Sequence, residues 1–187
     1  MNITVVTPRA NPVVTAQQVQ MHLRLASDEY AALAPLMEGY VEAATEYVEQ
    51  ATRRALGVQV LRYTADGWRG LELYRPPFVR LLGVSYWNSE TEASTDLDVG
   101  DFYVTDDIVP SLHAYSRVVD TCWQAGRVTV TYEAGYKDVP AGLRNAVLLQ
   151  VQLLADRFDV NEKADLERTR DALMSSFKVH NLHGRGR

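Results

Sequence analysis

The sequence predicts an α+β fold: a helical body of four helices, two N-terminal and two C-terminal, with an antiparallel β unit inserted between them. Three observations carry this reading. Residues 29–56 place apolar side chains at three-four spacing, the period of a helix face. Residues 58–133 break instead into short alternating segments separated by Gly, Pro, Asn and Asp. From Pro140 the three-four spacing returns. The expected organisation is therefore a body of 1–57 and 134–177, a β insertion of 58–133, and a basic C-terminal tail of 178–187.

Thr15 has the chemistry of a helix N-cap, with Gln18 as its capping-box partner, so a short helix should open at "AQQVQMHLRL". Ser27 or Asp28 should cap the next helix, predicted from about Glu29 to Leu56 with Gly57 as its C-cap glycine. Its core face reads Leu33, Met37, Tyr40, Val41, Ala44, Val48, Ala51 and Ala55. Pro35 removes one backbone hydrogen bond from it, and a kink or break is expected there. The insertion should hold roughly five to seven strands. Its Pro76-Pro77 pair favours a sheet edge or a loop.

The last of these segments, "GRVTVTYEAG", puts Val128, Val130 and Tyr132 on one face and Thr129 and Thr131 on the other. Pro140 then suits a first helical position, with Asp138 near the positive end of the helix dipole. Leu143, Val147, Val151, Leu154 and Phe158 form one stripe of this third helix, and Ala146, Leu149 and Leu153 a second beside it. Asn161 should cap a last helix presenting Leu166, Leu173 and Phe177.

Composition narrows the function. With 47% hydrophobic and 23% charged residues the chain can bury a core. Its net charge of −5 argues against a nucleic-acid binder acting through bulk electrostatics. The charge is uneven: "FKVHNLHGRGR" carries Lys178, Arg185 and Arg187 and no acid, so its +3 leaves −8 on the rest. A single cysteine, Cys122, rules out an intramolecular disulfide and a cysteine-based zinc site. The opening "MNITVVTPRANPVV" has no basic region followed by an apolar core, so no signal peptide is expected. No apolar run approaches the ~20 residues that cross a bilayer, and no membrane partner is expected.

Motifs for chemistry are scarce. Cys122 with His113 could suggest a thiol nucleophile and base, but Cys122 reads as a small buried residue beside Trp123. Asp96, Asp98 and Asp101 in "DLDVGD" lack the ligand order and distal glutamate of an EF-hand and read as a solvated acidic turn, as do Asp106 and Asp107. His180 and His183 have no further ligands nearby, and "GRGR" precedes no helix that could cradle a phosphate. The expectation is no catalytic, cofactor-binding or metal-binding residue, and no enzyme activity. The β-segment aromatics, among them Tyr63, Trp68, Tyr74, Phe78, Tyr86, Trp87, Phe102, Tyr103, Tyr115 and Tyr132, are expected to form the core of the insertion.

Taken in order, five segments resemble the head–tail connector, or adaptor, proteins of tailed phages and phage-like gene transfer particles, in the long form with a central β insertion. "NPVVTAQQVQMHLRL" is similar to the family's opening, and "LMEGYVEAATEYVEQATRRAL" to its second helix. "LELYRPPFVRLLGVSYWN" resembles its proline-centred strand pair. Trp123 and "VTYEAGYKDVPAGLRNAVLLQV" resemble its most distinctive stretch, and "ALMSSFKVH" its close. The chain departs from the family where the third helix runs into "LLADRFDV", and where Phe177-Lys178 replaces a closing Tyr-Arg.

The resemblance implies a structural part of the virion neck, assembled in the host cytoplasm. Its subunits would form a ring of about twelve beneath the portal protein. The ring would extend the channel, pass duplex DNA without specific binding, and receive the tail or a stopper or tail-terminator protein. Another neck or tail-completion protein, or a small enzyme, are the alternatives. An acidic body suits a channel that must not grip DNA. The amphipathic last helix and basic tail suit docking on the portal through Leu173, Phe177, Lys178, His180, His183, Arg185 and Arg187.

Overall fold

The computed structural model describes residues 2–68, 71–88, 91–115, 126–156, 159 and 162–179. In chain order they form β1 (Asn2–Thr7), α1 (Ala16–Leu23), α2 (Ser27–Thr52), β2 (Gln59–Asp66), β3 (Leu71–Glu72) and β4 (Phe78–Asn88). There follow β5 (Ala93–Leu97), a 3-10 turn (Val99–Asp101), β6 (Phe102–Val104), β7 (Ser111–Ala114), β8 (Arg127–Ala134), α3 (Ala141–Leu154) and α4 (Lys163–Ser175). The fold is α+β. It divides into two compact units: Met1–Ala10 with Val58–Gly135, and Asn11–Gly57 with Tyr136–Arg187.

In the helical unit, α1 opens on a complete capping box. The Thr15 hydroxyl accepts from the Gln18 N–H at 3.2 Å, and Gln18 Oε1 accepts from the Thr15 N–H at 2.8 Å. Helix α2 starts at Ser27 with Ala26 at the N-cap and no side-chain cap; Asp28 and Glu29 in its first turn complement the dipole instead. It continues through Pro35. The predicted end at Leu56, capped by Gly57, is corrected to Thr52, with Arg53 in the left-handed region at φ 58°. The cause is Glu49. Its backbone carbonyl accepts from the N–H groups of Arg53 and Arg54, and its buried carboxylate accepts from the Leu56 N–H at 2.8 Å. These bonds close the helix four residues early.

Helix α3 has Pro140 at its N-cap and buries Leu143, Ala146, Val147, Gln150 and Val151. Leu154 is the last helical residue and is 37% exposed, so its expected place in the core stripe is corrected. Phe158 and Asn161 lie outside the described residues. Helix α4 buries Arg170 and Met174, with Leu166, Leu173 and Phe177 half-buried. Val19, Met37, Ala44, Val48, Leu143 and Val147 make the centre of one apolar core. Each is nearly or fully inaccessible, which is worth about 1.5–3 kcal/mol per large aliphatic side chain.

The β unit holds a five-stranded sheet of order β1-β2-β8-β4-β5 and a three-stranded sheet of order β3-β7-β6, and the described strands pair antiparallel throughout. Strand β8 is central and alternates as predicted: Val128, Val130, Tyr132 and Ala134 are fully buried, while Thr129, Thr131 and Glu133 face away. Both sheets feed one core, which includes Leu61, Leu73, Phe102 and Leu112. The Tyr132 hydroxyl donates to the Tyr74 carbonyl at 2.6 Å; burial raises its pKa and keeps it a donor. Pro76-Pro77 lies in the β3–β4 loop, where the Pro77 carbonyl accepts from Gly135 at 2.8 Å. Gly135 has φ 124°, a conformation only glycine takes readily, and it ends β8.

Two expectations need correction here. Residues 1–10 do not belong to the helical body: Asn2–Thr7 pairs with β2, so the β unit draws on both the N-terminus and the insertion. Its stability comes from backbone pairing, since almost all of β1 is exposed. The aromatics also divide. Tyr63, Phe102 and Tyr132 are buried and Trp68 stacks on Phe102 at 5.7 Å, but Trp87, Tyr103 and Tyr115 are 46%, 45% and 48% exposed.

Candidate interaction surface

Among the described residues no three or more His, Cys, Asp or Glu side chains converge as a metal site would require. Cys122 lies outside the described residues. His113 is exposed and stacks on Tyr103 at 5.2 Å, with Tyr115 tilted against the same ring at 5.3 Å. His22 Nε2 lies 3.0 Å from Gln152 Oε1, and burial lowers its pKa despite that bond. Asp98 accepts from the Gly100 N–H at 2.9 Å, capping the 3-10 turn within the acidic segment. An open hollow of about 680 Å³ on the outer face of the five-stranded sheet is walled by Arg62, Ser85, Ser94, Asp96, Thr129 and Thr131, among others. Beside it in the strand register, Arg80 and Glu133 form a bidentate pair at 2.7 and 2.8 Å. Each side chain favours the other's charged form: Glu133 is held below the usual carboxylate range and Arg80 above its own.

The residues expected to dock on a portal fall into two groups. Leu173 and Phe177 pack against the helical unit's own core. The Phe177 ring lies over Gly142, where a Cβ would stand 3.3 Å from it. The Phe177 carbonyl accepts from Arg54 Nε at 2.7 Å, and the Val179 N–H donates to the Thr52 carbonyl at 3.0 Å, with Val179 itself buried. The chain after α4 is thus latched onto the end of α2. Of the docking candidates here, Lys178 is exposed. His180, His183, Arg185 and Arg187 lie outside the described residues.

Above the latch sits a polar knot. Arg170, 8% exposed, donates through Nη1 to Gln150 Oε1 at 2.5 Å and through Nε and Nη2 to Asp171 Oδ1 at 3.0 and 2.8 Å. Its guanidinium lies 4.6 Å from the Tyr47 ring centroid, so α2, α3 and α4 meet on one cation. Neither knot nor latch was predicted. Arg170 sits where the apolar spacing of α4 skips a position, which is the one signal for it.

No protein-family model matches the chain, and no curated protein does. Solved structures do. A chain from the neck of an empty gene transfer agent (GTA) particle, computed with C6 symmetry, aligns with TM-score 0.75 at 21% identity, covering 100% of both chains. A chain from the virion of a native GTA particle gives 0.74 at 22%, and one from a native GTA neck computed with C12 symmetry gives 0.71 at 20%, each with full coverage of both chains. The chain shares their fold. The likeness spans both units from end to end.

Proposed function

We propose that the protein is a non-enzymatic structural component of the neck of a phage-like particle, and within it the head–tail connector, or adaptor. Subunits form a ring beneath the portal, extend the DNA channel and join capsid to tail. The observation that carries this reading is the full-length likeness to chains from GTA necks, two of them in particles treated with cyclic symmetry. The charge distribution supports it. The β unit holds seven basic and eleven acidic residues, a balance that repels duplex DNA. The test is electron microscopy of the full chain mixed with its portal. A ring seated on the portal is expected; a monomer that never associates with it would sink the reading.

The portal-docking element on this reading is Lys178 with His180, His183, Arg185 and Arg187, seated by Leu173 and Phe177. Latching fixes where the cut should fall. Removing Phe177 and Val179 would damage the core, so truncation after Val179 isolates the tail. The truncated protein should stay folded and lose most portal affinity, and reversing Lys178 and Arg185 to glutamate should slow association at low salt. Undiminished binding after truncation would move the docking surface elsewhere.

A further inference from the structure

Strands β1 and β5 close the two sides of the five-stranded sheet, and among the described residues each pairs with one neighbour. Natural edge strands are usually blunted by lysine, proline or a covering element, because a bare edge templates pairing with another strand. Strand β1 reads Asn-Ile-Thr-Val-Val-Thr, with no charge and no proline, and Val5 and Val6 are 46% and 45% exposed. Strand β5 is exposed from Ala93 to Asp96, and Asp96 is its one charge.

The two edges match face for face. Ile3 and Val5 stand in register with Tyr63 and Leu61, on the buried face. Thr95 and Leu97 stand in register with Tyr86 and Val84, on that same face. On the polar face lie Asn2 and Thr4 at one edge and Ser94 and Asp96 at the other. Every neighbour is antiparallel and the strands number five, so β1 and β5 run in the same direction. Rotation about an axis along the strands therefore brings β5 of one copy parallel to β1 of the next. A two-fold axis would instead set β1 antiparallel to β1.

We propose that β1 of each copy joins β5 of its neighbour in parallel, carrying the five-stranded sheet from subunit to subunit around the ring. Val5 then packs beside Leu97 and Ile3 beside Thr95, while Thr4 meets Asp96 on the polar face. The proposal rests on the ring reading above and adds the junction that builds it. At about 4.8 Å per strand each copy spans about 24 Å of arc, so about twelve copies close a band of roughly 45 Å radius.

Paired cysteines test the junction. In a Cys122→Ser background, Thr4→Cys with Asp96→Cys should give a ladder of covalent oligomers under mild oxidation, and either change alone should not. Three strands separate the two positions within one copy, too far for an internal disulfide. Val5→Lys should abolish both ladder and rings while leaving circular dichroism and melting temperature unchanged. Rings that persist in Val5→Lys, with no ladder from the paired cysteines, overturn the strand junction and leave the ring reading standing. A covalent dimer from Thr4→Cys alone overturns it in favour of two-fold pairing. Neither rings nor ladder, with or without the portal, overturns both.

Discussion

Leu143 and Leu154 lie three helical turns apart on α3 and should respond very differently to truncation. Leu143 is fully buried, so Leu143→Ala should cost about 2–5 kcal/mol in chemical denaturation. Leu154 is 37% exposed in the last turn, so Leu154→Ala should cost well under 1 kcal/mol, in the range of surface changes. Arg170→Ala removes the cation from the knot and leaves the buried Gln150 acceptor without its donor. The expected loss is about 1.5–3 kcal/mol, the cost of deleting a hydrogen bond to a charged group. His22 supplies a pH effect. Burial is the larger influence and lowers its pKa below 6.5, so the unfolded chain takes up a proton where the folded chain does not. This contribution is complete above pH 6.5 and is lost as pH falls through the folded value. Melting temperatures measured from about pH 7.5 down to about pH 5.5 should drop more for the native protein than for His22→Gln.

At the scale of elements, the end of α2 shows both what local pattern conveys and what it hides. Arg53 adopts φ 58°, where a side chain is strained and glycine is not, so Arg53→Gly should raise stability by roughly 0.5–1 kcal/mol. Gly57 looked like the stop because glycine near a helix end is the strongest local signal. The actual stop depends on Glu49 folding its carboxylate back to Leu56, an arrangement that no spacing rule announces. Where a motif is self-contained, the reading held: the Thr15–Gln18 box and the alternation of β8 need only their own residues. Strands β1 and β5 escaped notice because edge strands have little buried surface to impose a pattern, and "ASTDL" is polar throughout. The packing of Leu173 and Phe177 was half legible. Phe177 and Leu173 advertise an apolar face, yet the groove that takes them is made by Gly142 and the end of α2, distant in sequence.

For the whole molecule, the cores of the two units share no residue among the described ones. The chain crosses between them after Ala10, Gly57 and Gly135. A chain joining 11–57 to 136–187 through a short Gly-Ser bridge should therefore keep a helical far-ultraviolet circular dichroism spectrum, at reduced stability. A random-coil spectrum would mean that the helical unit cannot form without its β partner. Cutting at 58 alone would strand β1 without β2, which is why the first ten residues must go as well.

The bond from Val179 to Thr52 gives the basic tail a fixed post. Arg187 is eight residues farther on, so it can lie no more than about 28 Å from that post, whatever path the chain takes. A partner surface inside that radius meets the basic residues at an effective concentration in the millimolar range; one outside it meets none. In the proposed ring each post would repeat at the same height and radius, so a partner with matching symmetry would gain every tail together. Weak individual grips would then add up to a seat that is firm when complete and easily released while still partial.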